Sequence, residues 1–166
     1  ERHPQVVYRI VGATHPNLVA REGEAYRERL MARAEELGVA GHLLWDNRFL
    51  DTDELLDQLE ACDIYVTPYP GLQQSTSGTL SYAVALGKAV VSTPYLHARE
   101  LLSDDAGVLI EPGSAPAIAQ AVNRLLEEMQ RKQKEAIATG ADPVPLVAAV
   151  AMKVRGLAKV SAAGRG

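Results

Sequence analysis

The chain has 166 residues, enough for one domain with a substantial core and too few for two of ordinary size. Hydrophobic residues make up 47%, which argues for a packed globule rather than disorder, and no apolar run approaches the ~18 residues that span a bilayer. Residues 1–128 carry 10 Lys and Arg against 19 Asp and Glu, whereas residues 129–166 carry 7 against 2. The acidic body lacks the positive face that exchanges counterions with nucleic acid, which argues against that class of partner. The basic tail reads either as a solvated segment or as a contact for an anionic surface.

Val6-Val7-Tyr8-Arg9-Ile10-Val11-Gly12 is rich in β-branched residues and ends at glycine, so it predicts a strand. Glu22 to Leu37 predicts one helix, with Tyr26, Leu30, Ala34 and Leu37 as its apolar stripe and Gly38 as its stop. His42 to Trp45 reads as a short strand. The next helix is expected to be capped by Asp51 or Thr52, with Leu55, Leu56 and Leu59 facing inward. Asp63 to Thr67 is a third strand, stopped by Pro68 and Pro70, and Cys62 beside it reads as a small core residue. A Gly/Gln/Ser/Thr loop spans Gly71 to Gly78, and Thr79 to Leu86 is helical. Strands follow at 89–92 and 107–110, a short helix at 98–102, and a helix at 114–128 that Ser114 caps. After the break at Gly140 to Pro145, Leu146 to Val160 fits an amphipathic helix or a strand equally well.

Strands alternate with helices through residue 128, and most strands are apolar on both faces. The expected fold is therefore α/β, a doubly wound, mostly parallel Rossmann-like sheet with helices on both faces. In such sheets ligands bind at the carboxyl ends of the strands. Three loops occupy that position: Gly12 to Asn17, Asp46 to Phe49, and Pro70 to Thr79. The third is small, polar and followed by a helix whose first amides suit a phosphate, although an ordinary solvated loop has the same composition. It is neither a Walker loop nor a GxGxxG turn. Arg48 is the only Lys or Arg in the three loops and is either an anion contact or part of a surface ion pair. His15 and His97 follow strands, and each is either structural or cleft-lining. No Cys/His spacing points to a metal.

The run Gln74-Ser-Thr-Ser-Gly-Thr-Leu-Ser-Tyr-Ala-Val-Ala-Leu-Gly-Lys-Ala-Val-Val-Ser-Thr93 resembles the donor-site signature of family 4 retaining glycosyltransferases. Their GT-B fold sets two Rossmann-like domains across a cleft. Tyr8 to Pro16, Asn47 to Phe49, Glu54-Leu55, Asp63 to Tyr69 and Glu100 to Leu102 support the resemblance, which covers residues 3–128. It implies a C-terminal, donor-binding domain over residues 1–128 followed by a basic tail, helical or sheet-completing, over 129–166. The substrate would be a UDP- or GDP-linked sugar, with no cofactor or metal, and the acceptor would sit on an absent N-terminal domain. Ser77, Gly78 and Thr79, with Thr76, would face the diphosphate. Asn47, Arg48 and Phe49 would lie along the base, and Gly12 and Thr14 would border the cleft. Two glutamates usual in the family fall at Gln74 and Tyr82 here. These can hydrogen-bond hydroxyls of the sugar and the ribose but bring no carboxylate.

The family also places a strand and a basic pair ahead of the strand that begins here at Val6. In the order 3-2-1-4-5-6 that strand is central, so its loss leaves two neighbours with unpaired edges. Either the tail, at Leu146 to Val154, or a second chain fills the slot, or the sheet is rearranged. Glu1 to Pro4 do not resemble a signal peptide and no initiator Met precedes them, so the chain is expected to start within a longer one. A single cysteine suits a cytoplasmic setting. A non-catalytic domain acting through a protein interface or as a homo-oligomer is the alternative function. A membrane-peripheral role would use Lys153, Arg155 and Lys159.

Overall fold

The β-branched runs become strands of one sheet. The computed structural model describes residues 3–142 and 149–153. The strands are β1 (Val7–Val11), β2 (Leu43–Asp46), β3 (Ile64–Thr67), β4 (Ala89–Ser92), β5 (Val108–Leu109) and β6 (Ala149–Lys153). The helices are α1 (Pro16–Glu22), α2 (Ala25–Glu36), α3 (Thr52–Glu60), α4 (Gly78–Ala85), α5 (Leu96–Leu101) and α6 (Ala115–Ala138).

The expected helix over 22–37 is α2, and a short helix that the sequence did not announce, α1, precedes it. Pro16 opens α1 at a position that needs no N–H, the His15 ring accepts from Asn17 N–H, and Gly23, with a φ of 60°, turns the chain before α2. The expected stripe on α2 is thin: Ala34 is buried, but Leu37 is 58% exposed. This helix links β1 to the edge strand β2, where the sheet offers little surface to cover. Helix α3 starts as expected, with a capping box in which Asp51 accepts from Glu54 N–H and the Glu54 carboxylate accepts from Asp51 N–H. Helix α6 begins at the Ser114 cap and runs past Glu128 to Ala138, supported by the i,i+4 ion pairs Glu128–Lys132 and Arg131–Glu135.

The strand order is β2-β1-β6-β3-β4-β5, and all five pairings are parallel. Strand β6 therefore occupies the central slot that the sequence leaves open. Its Ala149 to Lys153 run level with Val7 to Val11 of β1, and its Val150 to Met152 level with Ile64 to Val66 of β3. Neither rearrangement nor a second chain is needed to satisfy those edges. Residues 146–148 and 154–160 of the expected tail element lie outside the described residues.

Alternation along β3 and β4 divides the core. Tyr65 and Val90 face α3, α4 and α5 through Leu59, Leu80, Ala83 and Ala98. Ile64, Val66 and Val91 face α6 through Ala121 and Leu126. Helices thus cover both faces, as expected of a doubly wound sheet.

Candidate functional site

Because every strand is parallel, the segments that leave β1, β2, β3 and β4 emerge at one edge. Gly12 follows β1 with a φ of 123°, a conformation that other residues rarely adopt, and its N–H donates to Asp46 O at 2.9 Å. The next loop is tied to the one after β2. Thr14 N–H donates to Asn47 Oδ1 at 3.3 Å, and Thr14 Oγ1 donates to Glu24 Oε2 at 2.8 Å. Arg27, reaching in from α2, donates to Gly12 O at 3.2 Å and to Asn47 Oδ1, and pairs with Glu24 at 3.3 Å. Its guanidinium lies 5.9 Å from the Trp45 ring centroid. Gly12, Thr14 and Asn47 therefore form one braced unit, with Thr14 buried and Asn47 exposed.

Arg48 is held in an ion pair. Its Nε donates to Asp46 Oδ1 at 2.9 Å and its Nη1 to Glu54 Oε1 at 3.0 Å. The hydrogen bonds from Arg48, followed by the charges of Arg48 and Arg9, hold the Asp46 carboxyl below its ordinary range against the opposing effect of partial burial. The same bonds from Asp46 and Glu54 raise the Arg48 pKa, so it stays a cation. Phe49 beside it is 63% exposed and offers an unpacked ring to the solvent.

The segment from Pro68 to Ser77 leads into α4. Ser77 is the N-cap, and its hydroxyl oxygen accepts from Leu80 N–H at 3.3 Å. Its side chain and that of Thr79 are buried, whereas Gly78 and Thr76 are exposed. A Cβ added at Gly78 would meet nothing within 4 Å, so the backbone at the start of α4 is open to approach. The Gln74 amide donates to Thr76 O at 3.1 Å, and Tyr82 sits one turn into α4, 39% exposed. Beneath the loop the Tyr69 and Tyr95 rings pack at 5.3 Å, and burial, followed by Tyr95, pushes the Tyr69 phenol up, keeping it neutral.

All eleven residues singled out in the sequence lie in these strand-end segments or on α4. The structure adds Arg27 and Glu24, whose side chains brace the loops, and gives His97, weighed in the sequence as structural or cleft-lining, a bracing contact with Ser77 N–H. Glu24 and Arg27 carried no local signal because their partners lie on other elements. Among the described residues no group of three His, Cys, Asp or Glu could hold a metal ion, and no helix is long and apolar enough to cross a membrane.

Chemically, the edge offers an open helix-start backbone at Gly78, hydroxyl and amide groups, an exposed aromatic ring and two arginines already engaged with carboxylates. Hydrogen-bonding of an anionic, hydroxyl-rich ligand fits this set. A search of curated proteins finds no match to the chain. Residues 1–128 match the family described as glycosyl transferases group 1, a span running from the N-terminus into α6. The doubly wound sheet and the segments at its carboxyl edge both lie within or beside that span, and the chain belongs to the group 1 glycosyltransferases.

Proposed function

We propose that this chain is the donor-binding half of a family 4 glycosyltransferase, taking a sugar from a UDP- or GDP-linked donor to an acceptor held by a further N-terminal domain. The observation that carries this reading is the open start of α4. Gly78 is exposed there with unoccupied space above it, and Ser77 turns its own hydroxyl inward to cap the helix. Amides at such a start, with the helix dipole behind them, favour a phosphate. Phe49 gives the base a surface to lie on, and Gln74 and Tyr82 meet hydroxyls of the sugar and the ribose. The donor is a substrate here, and no cofactor or metal takes part.

Isothermal titration with UDP, GDP and ADP tests the reading, repeated on Gly78→Pro. Proline suits the first position of a helix and removes only the N–H there, so the variant keeps its fold. One nucleotide is expected to bind, and the substitution to weaken it by about ten-fold or more, the worth of a charge-assisted hydrogen bond. No binding by any nucleotide, or equal binding by Gly78→Pro, would sink the donor-site reading.

A further inference from the structure

The polar loop before α4 is held along its length by the segment that leaves β4. Thr93 Oγ1 donates to Tyr69 O at 2.6 Å, Leu96 N–H to Leu72 O at 3.2 Å, and His97 N–H to Gln74 O at 3.4 Å. The last tie differs in kind: Ser77 N–H donates to the His97 ring at Nδ1, at 2.8 Å. It alone uses a side chain as acceptor, and it grips the N-cap residue itself. Ser77 is buried and extended, with φ −140° and ψ 103°, so the orientation of its peptide sets where the next amide, that of Gly78, is presented.

An imidazole nitrogen accepts a hydrogen bond only when it carries no hydrogen. The contact with Ser77 therefore fixes His97 as the neutral tautomer with its hydrogen on Nε2. Ser77 is buried, which leaves its N–H little access to another acceptor. Losing the contact would release the bond that ties α5 to the N-cap of α4.

We propose that His97 is a positioning residue of the donor site: through Ser77 it aims the Gly78 amide, at the start of α4, at the diphosphate of a nucleoside diphosphate. This rests on the donor-site reading above and assigns to α5 the side chain that keeps the site in shape. His97 acts through the backbone of Ser77 and needs no contact of its own with the ligand.

The test combines tautomer and affinity. Nitrogen-15 imidazole NMR of the free chain is expected to show His97 with a bare Nδ1 and a protonated Nε2. In isothermal titrations, His97→Ala is expected to weaken the preferred nucleoside diphosphate by about ten-fold. His97→Asn, whose amide oxygen can take the place of Nδ1, is expected to restore affinity to within about three-fold of the original. Thermal melts of both variants establish that they are folded. An Nδ1-protonated ring, unchanged binding by His97→Ala, or failure of a folded His97→Asn to rescue would each overturn the inference while leaving the donor site in place. Absence of nucleotide binding by the unmodified chain would remove the site itself, and this role with it.

Discussion

Asp46 sits between Arg48 and Arg9, and both hold its carboxyl ionised at lower pH than usual, Arg48 chiefly through hydrogen bonds. In the unfolded chain the carboxyl returns to about 3.9, so the folded state binds its proton less tightly than the unfolded one. The contribution to stability is therefore present above that value and lost as pH falls through the depressed folded value. The urea midpoint of the native chain is expected to exceed that of Asp46→Asn at pH 7, with the gap closing below about pH 4. The gap should be small and should shrink with salt, because Arg48 is more than half exposed. A gap that persists unchanged in acid would show that packing of the side chain, not its charge, sets the difference. What the sequence reveals at this scale depends on distance along the chain. The cap of α3 was legible to within one residue, as Asp51 or Thr52, because a capping side chain acts on the helix that begins beside it. Arg27 was not, since it meets Gly12 and Asn47 across 15 and 20 residues, nor was the contact of Ser77 with His97, also 20 apart.

Among the elements, β6 is the strand that joins the sheet. It pairs five residues with β1 and three with β3, and β1 and β3 do not pair with each other. Without it the sheet would divide into a two-strand and a three-strand piece, each with a bare edge. Ala151 lies level with both Arg9 and Tyr65, so a proline there interrupts the ladder in the middle of the sheet. Ala151→Pro removes a ladder hydrogen bond and leaves its carbonyl partner unsatisfied, which is expected to cost about 1–3 kcal/mol, a large share of the roughly 5–15 kcal/mol typical of a domain. Circular-dichroism melts would then show a sharply lower midpoint or no cooperative transition. A melt like that of the native chain would mean that β6 adds little and that β1 and β3 hold together by other means. The five earlier strands were legible because β-branched runs alternate with helical spacing. The sixth was legible only as one of three ways to fill the vacant central slot, because residues 146–160 by themselves fit helix and strand alike. Helix α1 was not foreseen, because its start at Pro16 falls in a segment read as a strand-end loop, and Gly23 separates it from α2.

For the whole molecule, the proposed function makes the carboxyl edge of the sheet one wall of a site. Leaving-group chemistry in glycosyl transfer depends on fixed dipoles and charges around the departing diphosphate, in a space from which water is excluded. On the donor-site reading proposed above, the start of α4 would supply part of that field. The two arginines at this edge, Arg27 and Arg48, are each tied to a carboxylate, which limits the positive charge they can offer. Phe49 and Leu96, in segments leaving β2 and β4, stand 63% and 48% exposed, apolar surface available for a base or for a covering domain. A single open wall can bind a nucleotide but cannot exclude water or place an acceptor in line with the donor. The isolated chain is therefore expected to bind its preferred nucleotide weakly and to show no turnover. Incubation with radiolabelled UDP- and GDP-sugars and a panel of sugar acceptors should leave the label on the nucleotide, with neither transfer nor hydrolysis above the buffer control. Transfer by the chain alone would overturn the division of labour proposed here, because the sheet edge would then hold both substrates. Hydrolysis without transfer would place the chemistry of the donor on this domain and leave only the acceptor to another.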